Sequence, residues 1–141
     1  MITPEESRRL IDCMPHREPF VFVDTVVELD PCVSATCLIT FSADATFFVG
    51  HFPGNPIVPG VILTEALAQA AGIAGAGYKK DKRFLLSAVR SMKFLSAAKP
   101  GQQITLHARK AGEMGPLMTF EVRATIGDQV VAEGSIILSE A

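Results

Sequence analysis

The 141-residue chain has no tryptophan, one tyrosine and only three cysteines. Cys13, Cys32 and Cys37 are odd in number and lack metal-type spacing, which excludes a disulfide scaffold and a cysteine metal site and fits free thiols in a reducing, cytoplasmic setting. Basic runs are lacking too. The formal charge is −2, which speaks against a nucleic-acid role. From Glu18 to Tyr78 there is not one lysine or arginine. No apolar stretch is free of polar groups for long: the most apolar helix pattern contains Glu65 and Gln69, so it reads as a buried helix and not as a membrane span. The N-terminal "MITPEESRRLIDCM" is charged and reads as a helix and not as a signal peptide. Repeats, linkers and low-complexity tracts are absent from the pattern, and 141 residues suffice for one domain, residues 1–141, with a substantial core.

What is there is a run of strand patterns around one apolar helix. Thr3 can cap a short N-terminal helix, with Pro4 in its first turn and Glu5 and Glu6 at its positive end. "PFVFVDTVVEL" and "VSATCLITF" predict two strands joined at "DPC", able to pair as a hairpin. After Pro59 a helix is expected to about Tyr78, loosened by Gly72, Gly75 and Gly77. "RFLLSAVRSMKFL", "QITLHARKA", "PLMTFEVRATI" and "QVVAEGSIIL" predict four more strands, with "GEMG" and "GD" turning between the last three. Met118, Phe120, Val122, Ala124 and Ile126 share one face of the penultimate strand. The expected fold is α+β: about six mostly antiparallel strands wrapped around one long helix.

The stretch "GHFPGNPIVPGVILTEALAQAAG", residues 50–72, carries the chemistry. Its helix is apolar on all sides, as a buried helix is. Glu65 is therefore expected to be partly desolvated, where ionisation is costly without a partner. Gln69 lies four residues on, on the same face, and can hydrogen-bond to it. His51 stands in the loop before the helix, on a backbone stiffened by Pro53, Pro56 and Pro59. Taken alone, a helix glutamate can be a structural hydrogen-bonder and a loop histidine is unremarkable. Together, an acid without a cation and a nearby histidine point to acid–base catalysis. Pro59 suits the first turn, and Gly60 follows with a free amide at the positive end of the helix dipole. A carbonyl docking there would have its developing negative charge stabilised. Acid, base and amide suit proton abstraction beside a thioester carbonyl with loss of a β-hydroxyl.

"MPHREPFVFVD", "GHFPGNPIVPGVILTEALAQ" and "F…KPGQQI" resemble the FabZ family of 3-hydroxyacyl-[acyl-carrier-protein] dehydratases, over about residues 8 to 106. The resemblance implies a hotdog fold, a curled six-stranded sheet around a central helix. By position it implies that His51 is the catalytic histidine, Glu65 the helix carboxylate and Gly60 the carbonyl-polarising amide. It further implies that a carbonyl near Ile57 orients the histidine and that Gln69 supports the acid. No cofactor or metal is implied. The implied partner is an acyl carrier protein bearing a 3-hydroxyacyl-phosphopantetheine, and the implied assembly is a homodimer, sometimes a trimer of dimers, with histidine and acid from different chains. The dehydratase/isomerase branch usually has aspartate at the position of Glu65, which favours the simple dehydratase. Such an enzyme meets its acidic carrier with basic residues, here "YKKDKRF": Lys79, Lys80, Lys82 and Arg83. The same segment also reads as a solvated loop. The chain departs from the family pattern at Glu18, where tyrosine is frequent, at Arg90, and in "FLSAAKPGQ". Fatty-acid synthesis and a related lipid or polyketide route both stay open, as do two other hotdog functions, acyl thioesterase and non-catalytic acyl-binding subunit.

Overall fold

The computed structural model describes residues 2–141. It opens with α1 (Pro4–Asp12), whose start is closed by a reciprocal pair: the Glu6 amide donates to Thr3 Oγ1 at 3.1 Å, and the Thr3 amide donates to Glu6 Oε1 at 3.3 Å. Six strands follow: β1 (Thr25–Asp30), β2 (Ser34–Thr40), β3 (Phe84–Phe94), β4 (Gln103–Met114), β5 (Leu117–Ile126) and β6 (Gln129–Glu140). Between β2 and β3 lie one 3-10 turn (Thr46–Val49) and the long helix α2 (Gly60–Ala76). The strands form a single sheet in the order β1-β2-β4-β5-β6-β3, and every neighbouring pair is antiparallel. This is the hotdog arrangement, with α2 as the filling, laid chiefly across β2 and β4.

Strand alternation explains why the sheet grips the helix. On β4, Ile104, Leu106 and Ala108 are buried; on β5, Met118, Phe120, Val122 and Ala124; on β2, Ala35, Cys37 and Ile39. The helix answers with small residues. Ala66, Ala70, Ala71 and Ala74 are fully buried, and their small side chains let the curled sheet come close to the helix backbone. Burial pushes the Cys37 thiol up to about 12, which keeps it protonated and inert. Cys32 is exposed in the β1–β2 turn, and its amide donates to the Ala74 carbonyl, docking that turn on the last turn of α2.

The helix ends where glycine permits. Gly77 has φ +60°, and its amide bonds back to the Ile73 carbonyl. Gly134 meets a different demand: a Cβ there would run into the Ser91 carbonyl oxygen and the Met92 backbone, so glycine allows β6 and β3 to close beside the irregularity at Val89/Ser91.

Two expectations from the sequence shift. The strand expected from Pro19 begins only at Thr25; Phe20 lies in a bend and Val21 to Val23 have no regular secondary structure, the Phe20 carbonyl and the Phe22 N–H meeting a side chain of α2 instead of another strand. In "GEMG", Gly112 to Met114 belong to β4, and the reversal is confined to Gly115 and Pro116, with Gly115 at φ +57°. Among the described residues no helix is long and apolar enough to cross a membrane.

Candidate active site

The loop before α2 is a chain of short backbone bonds. The His51 amide donates to the Phe47 carbonyl of the 3-10 turn at 3.1 Å. Phe52 and Asn55 exchange both backbone bonds, at 3.2 and 2.9 Å, around Gly54 at φ +74°. The Ile57 amide donates to the His51 carbonyl, and the His51 ring nitrogen Nδ1 lies 2.9 Å from the Ile57 carbonyl oxygen. Val58 donates to the Ala98 carbonyl at 2.8 Å, tying the loop to the segment after β3. A carbonyl oxygen only accepts, so Nδ1 carries the hydrogen. In the neutral ring that leaves Nε2 with a free lone pair. His51 is half-buried, and its ring stacks on Phe52 at 4.1 Å between centroids. The orienting role assigned to the Ile57 carbonyl thus has its geometry.

The helix start is open as expected. Pro59 precedes Gly60 and supplies no side-chain cap, and among the described residues neither the Gly60 nor the Val61 amide has an acceptor. The Phe94 ring lies against this point; a Cβ on residue 60 would sit 3.0 Å from two of its carbons. Glycine therefore lets an aromatic wall stand beside a bare amide. Apolar side chains are exposed here: Val61 is 75 % exposed and Phe94 50 %.

Glu65 lies a turn further on, with its side chain 20 % exposed. Within the chain its partners are Gln69 and a residue the sequence did not single out. Gln69 Nε2 donates to Glu65 Oε2 at 3.1 Å, and His16 Nε2 lies 3.4 Å from the same oxygen. Gln69 is only 1 % exposed and fully used: Nε2 also donates to the Phe20 carbonyl at 3.0 Å, and Oε1 accepts from the Phe22 amide at 2.8 Å. This side chain pairs with the 20–22 backbone as a strand would, and so holds the segment bearing His16 against the helix bearing Glu65. His51 bonds to Ile57, not to Glu65, so one chain holds the two side chains in separate groups. His16 stands in "PHR", 49 residues before Glu65. Its type marked it as chemistry-capable, but no periodicity in the sequence linked it to Glu65.

The basic cluster lies elsewhere. Lys79, Lys80, Lys82 and Arg83 follow the C-terminal end of α2, about 25 Å along the 17-residue helix from Gly60. Lys82 is paired with Glu140 at 3.2 Å; the other three are exposed. Among the described residues, no three His, Cys, Asp or Glu side chains are grouped as metal ligands.

Comparison with known proteins bears on the family and the fold. Residues 30–135 match the family model described as ApeI-like, ApeI dehydratase. The chain is 41 % identical over 138 residues to a 3-hydroxyacyl-[acyl-carrier-protein] dehydratase FabZ of Ruminiclostridium cellulolyticum, covering 96 % of this chain and 95 % of that one. It belongs to the FabZ-type dehydratase family. A FabZ of Chloroflexus aggregans is 35 % identical, with 99 % of this chain and 96 % of the relative covered. Among solved structures, the dehydratase heterocomplex ApeI:P from Xenorhabdus doucetiae superposes with a TM-score of 0.78 at 18 % identity, covering 94 % of this chain and 90 % of that one. At that identity the likeness speaks for the fold. As a family member the chain is an enzyme of the hydro-lyase class.

Proposed function

We propose that this chain, acting as one hotdog domain, converts 3-hydroxyacyl groups on acyl carrier protein to trans-2-enoyl thioesters, with His51 as base and Glu65 as acid. The observation that carries this reading is the His51 Nδ1–Ile57 carbonyl bond, which leaves Nε2 free to accept a proton. His51 Nε2 takes the α-proton. The unpaired Gly60 amide, at the positive end of α2, stabilises the negative charge that builds on the thioester oxygen. Glu65 gives its proton to the β-hydroxyl, which leaves as water. Acid and base then exchange protons with solvent, and both are reset. Each group is worth about 10²–10⁴-fold in rate.

The complete site is a homodimer's. Support comes from β3, the outer strand, which exposes Leu85, Leu86, Val89 and Phe94 along an unpaired edge. A two-fold pairing of β3 with itself covers that edge and sets the start of one β3 beside the end of the other. The partner's basic segment then comes next to Phe94, and hence next to Gly60. That arrangement offsets the distance between the lysine cluster and the helix start within one chain. Lys79, Lys80 and Arg83 thereby face the mouth through which an acidic carrier delivers its arm.

One experiment tests both parts. The protein is incubated with a 3-hydroxyacyl thioester, once on acyl carrier protein and once on coenzyme A, with enoyl absorbance and free thiol followed together. Enoyl product without thiol is expected. Thiol release identifies a thioesterase, and neither product identifies a binding subunit; both outcomes overturn the reading. Reversing Lys79, Lys80 and Arg83 to glutamate is expected to raise KM for the carrier substrate, most at low salt, and to leave the coenzyme A substrate unchanged. Equal loss with both substrates would reassign the segment to shaping the site.

A further inference from the structure

The acid has two oxygens, and the chain treats them differently. Oε2 faces two nitrogens, Gln69 Nε2 at 3.1 Å and His16 Nε2 at 3.4 Å. The Gln69 amide cannot be turned over. Its oxygen meets the Phe22 N–H and its nitrogen meets the Phe20 carbonyl, so a flip would set donor against donor and acceptor against acceptor. Oε2 therefore always faces an N–H from Gln69.

The His16 ring is equally constrained. Its Nδ1 is buried and meets no partner among the described residues. A hydrogen on Nδ1 would be a buried donor with no acceptor, whereas a bare lone pair there costs less. The hydrogen belongs on Nε2, facing Glu65. The ring is held in place by Phe20, stacked at 6.1 Å with 20° between planes, and by Arg17, whose Nη1 donates to the Met14 and His16 carbonyls at 2.7 Å each.

With two donors aimed at Oε2, a proton on that oxygen would point at one of them. Among the described residues Oε1 takes no hydrogen bond, and it is not enclosed. We infer that His16 is a positioning residue: together with Gln69 it pins Glu65 by Oε2, so that Oε1 alone carries the transferable proton and presents it to the leaving hydroxyl. This inference rests on Glu65 being the acid of the proposed reaction.

The test is a double-mutant cycle between His16 and Glu65, measured with a 3-hydroxyacyl coenzyme A thioester and with melting temperatures alongside. His16→Phe keeps a ring over Phe20 and removes the donor. It is expected to lower kcat about 10–100-fold, the scale of a misplaced reacting group, with KM within about 3-fold. His16→Gln restores an N–H near the same point and is expected to recover kcat to within about 5-fold of wild type. In the Glu65→Gln background, His16→Phe is expected to add less than about 2-fold, because its effect passes through the acid. A wild-type kcat in His16→Phe would overturn the inference. So would a loss confined to KM, an equal loss in His16→Gln, or multiplying effects in the cycle. If His16→Phe does not fold, His16→Asn takes its place, its amide being too short to reach Oε2. Wild-type kcat in Glu65→Gln would instead remove the acid assignment itself, a result separable from failure at His16 alone.

Discussion

His51 and Glu65, the proposed base and acid, are held in opposite ways. His51 is fixed by backbone groups six residues away, within one loop stiffened by three prolines. Glu65 is fixed by side chains, one of them 49 residues earlier in the chain, and the buried amide that holds the pair together reaches 47 and 49 residues back to Phe22 and Phe20. The first half depends on local chain geometry, on amide and carbonyl groups that every residue carries. The second half exists only once α2 and the 16–22 segment have met, and each of its members is a side chain that a single substitution removes. A site built this way has one robust half and one fragile half.

The largest effects should come from removing the proposed reacting groups themselves. His51→Ala and Glu65→Gln are each expected to lower kcat by at least about 10²-fold while the melting temperature stays close to wild type. Steady-state kinetics and a thermal melt check this. Near-wild-type turnover in either folded variant would take that residue out of the dyad.

A smaller effect separates the two halves. Gln69→Leu leaves the Phe22 amide and the Phe20 carbonyl without partners and is expected to destabilise by about 1–3 kcal/mol, with a fall in kcat. Ile57→Val keeps the carbonyl that orients His51 and is expected to hold kcat within about 3-fold. Denaturant melts and kinetics on the two variants would erase the contrast if both responded alike.

The smallest effect belongs to a histidine outside both halves. His107 sits on the sheet face turned away from α2, beside Arg123 and across from Thr36. Burial first, and then the Arg123 charge, hold it below its ordinary value of 6.5, while Glu28 pulls the other way. The unfolded chain therefore binds this proton more readily than the folded one. The contribution to stability is complete above about pH 6.5 and is lost as pH falls through the lowered folded value. His107→Gln is expected to flatten the fall in melting temperature between pH 7.5 and 5. A slope identical to wild type would show that other groups set it.

Much of the fold was legible because it rests on patterns the chain carries locally. The alternation from Met118 to Ala124 assigned one face of β5 to the core, and Pro59 with Gly60 marked the start of α2. "PFVFVDTVVEL" misled for a definite reason. Its β-branched and aromatic residues have strand propensity, but a backbone becomes a strand only where another strand takes its hydrogen bonds. The Phe20 carbonyl accepts from Gln69 and the Phe22 N–H donates to it, which no propensity reports.

The same division runs through the site. By itself the sequence determined the loop that aims His51, the open amide at Gly60 and the placing of Glu65 and Gln69 on one helix face, because each is set by residues a few positions apart. Only the tertiary structure decided that His16 and Gln69 share one oxygen of Glu65. That contact depends on how a 17-residue helix meets a segment from the other end of the chain, and such a meeting is set by the packing of the whole sheet around α2.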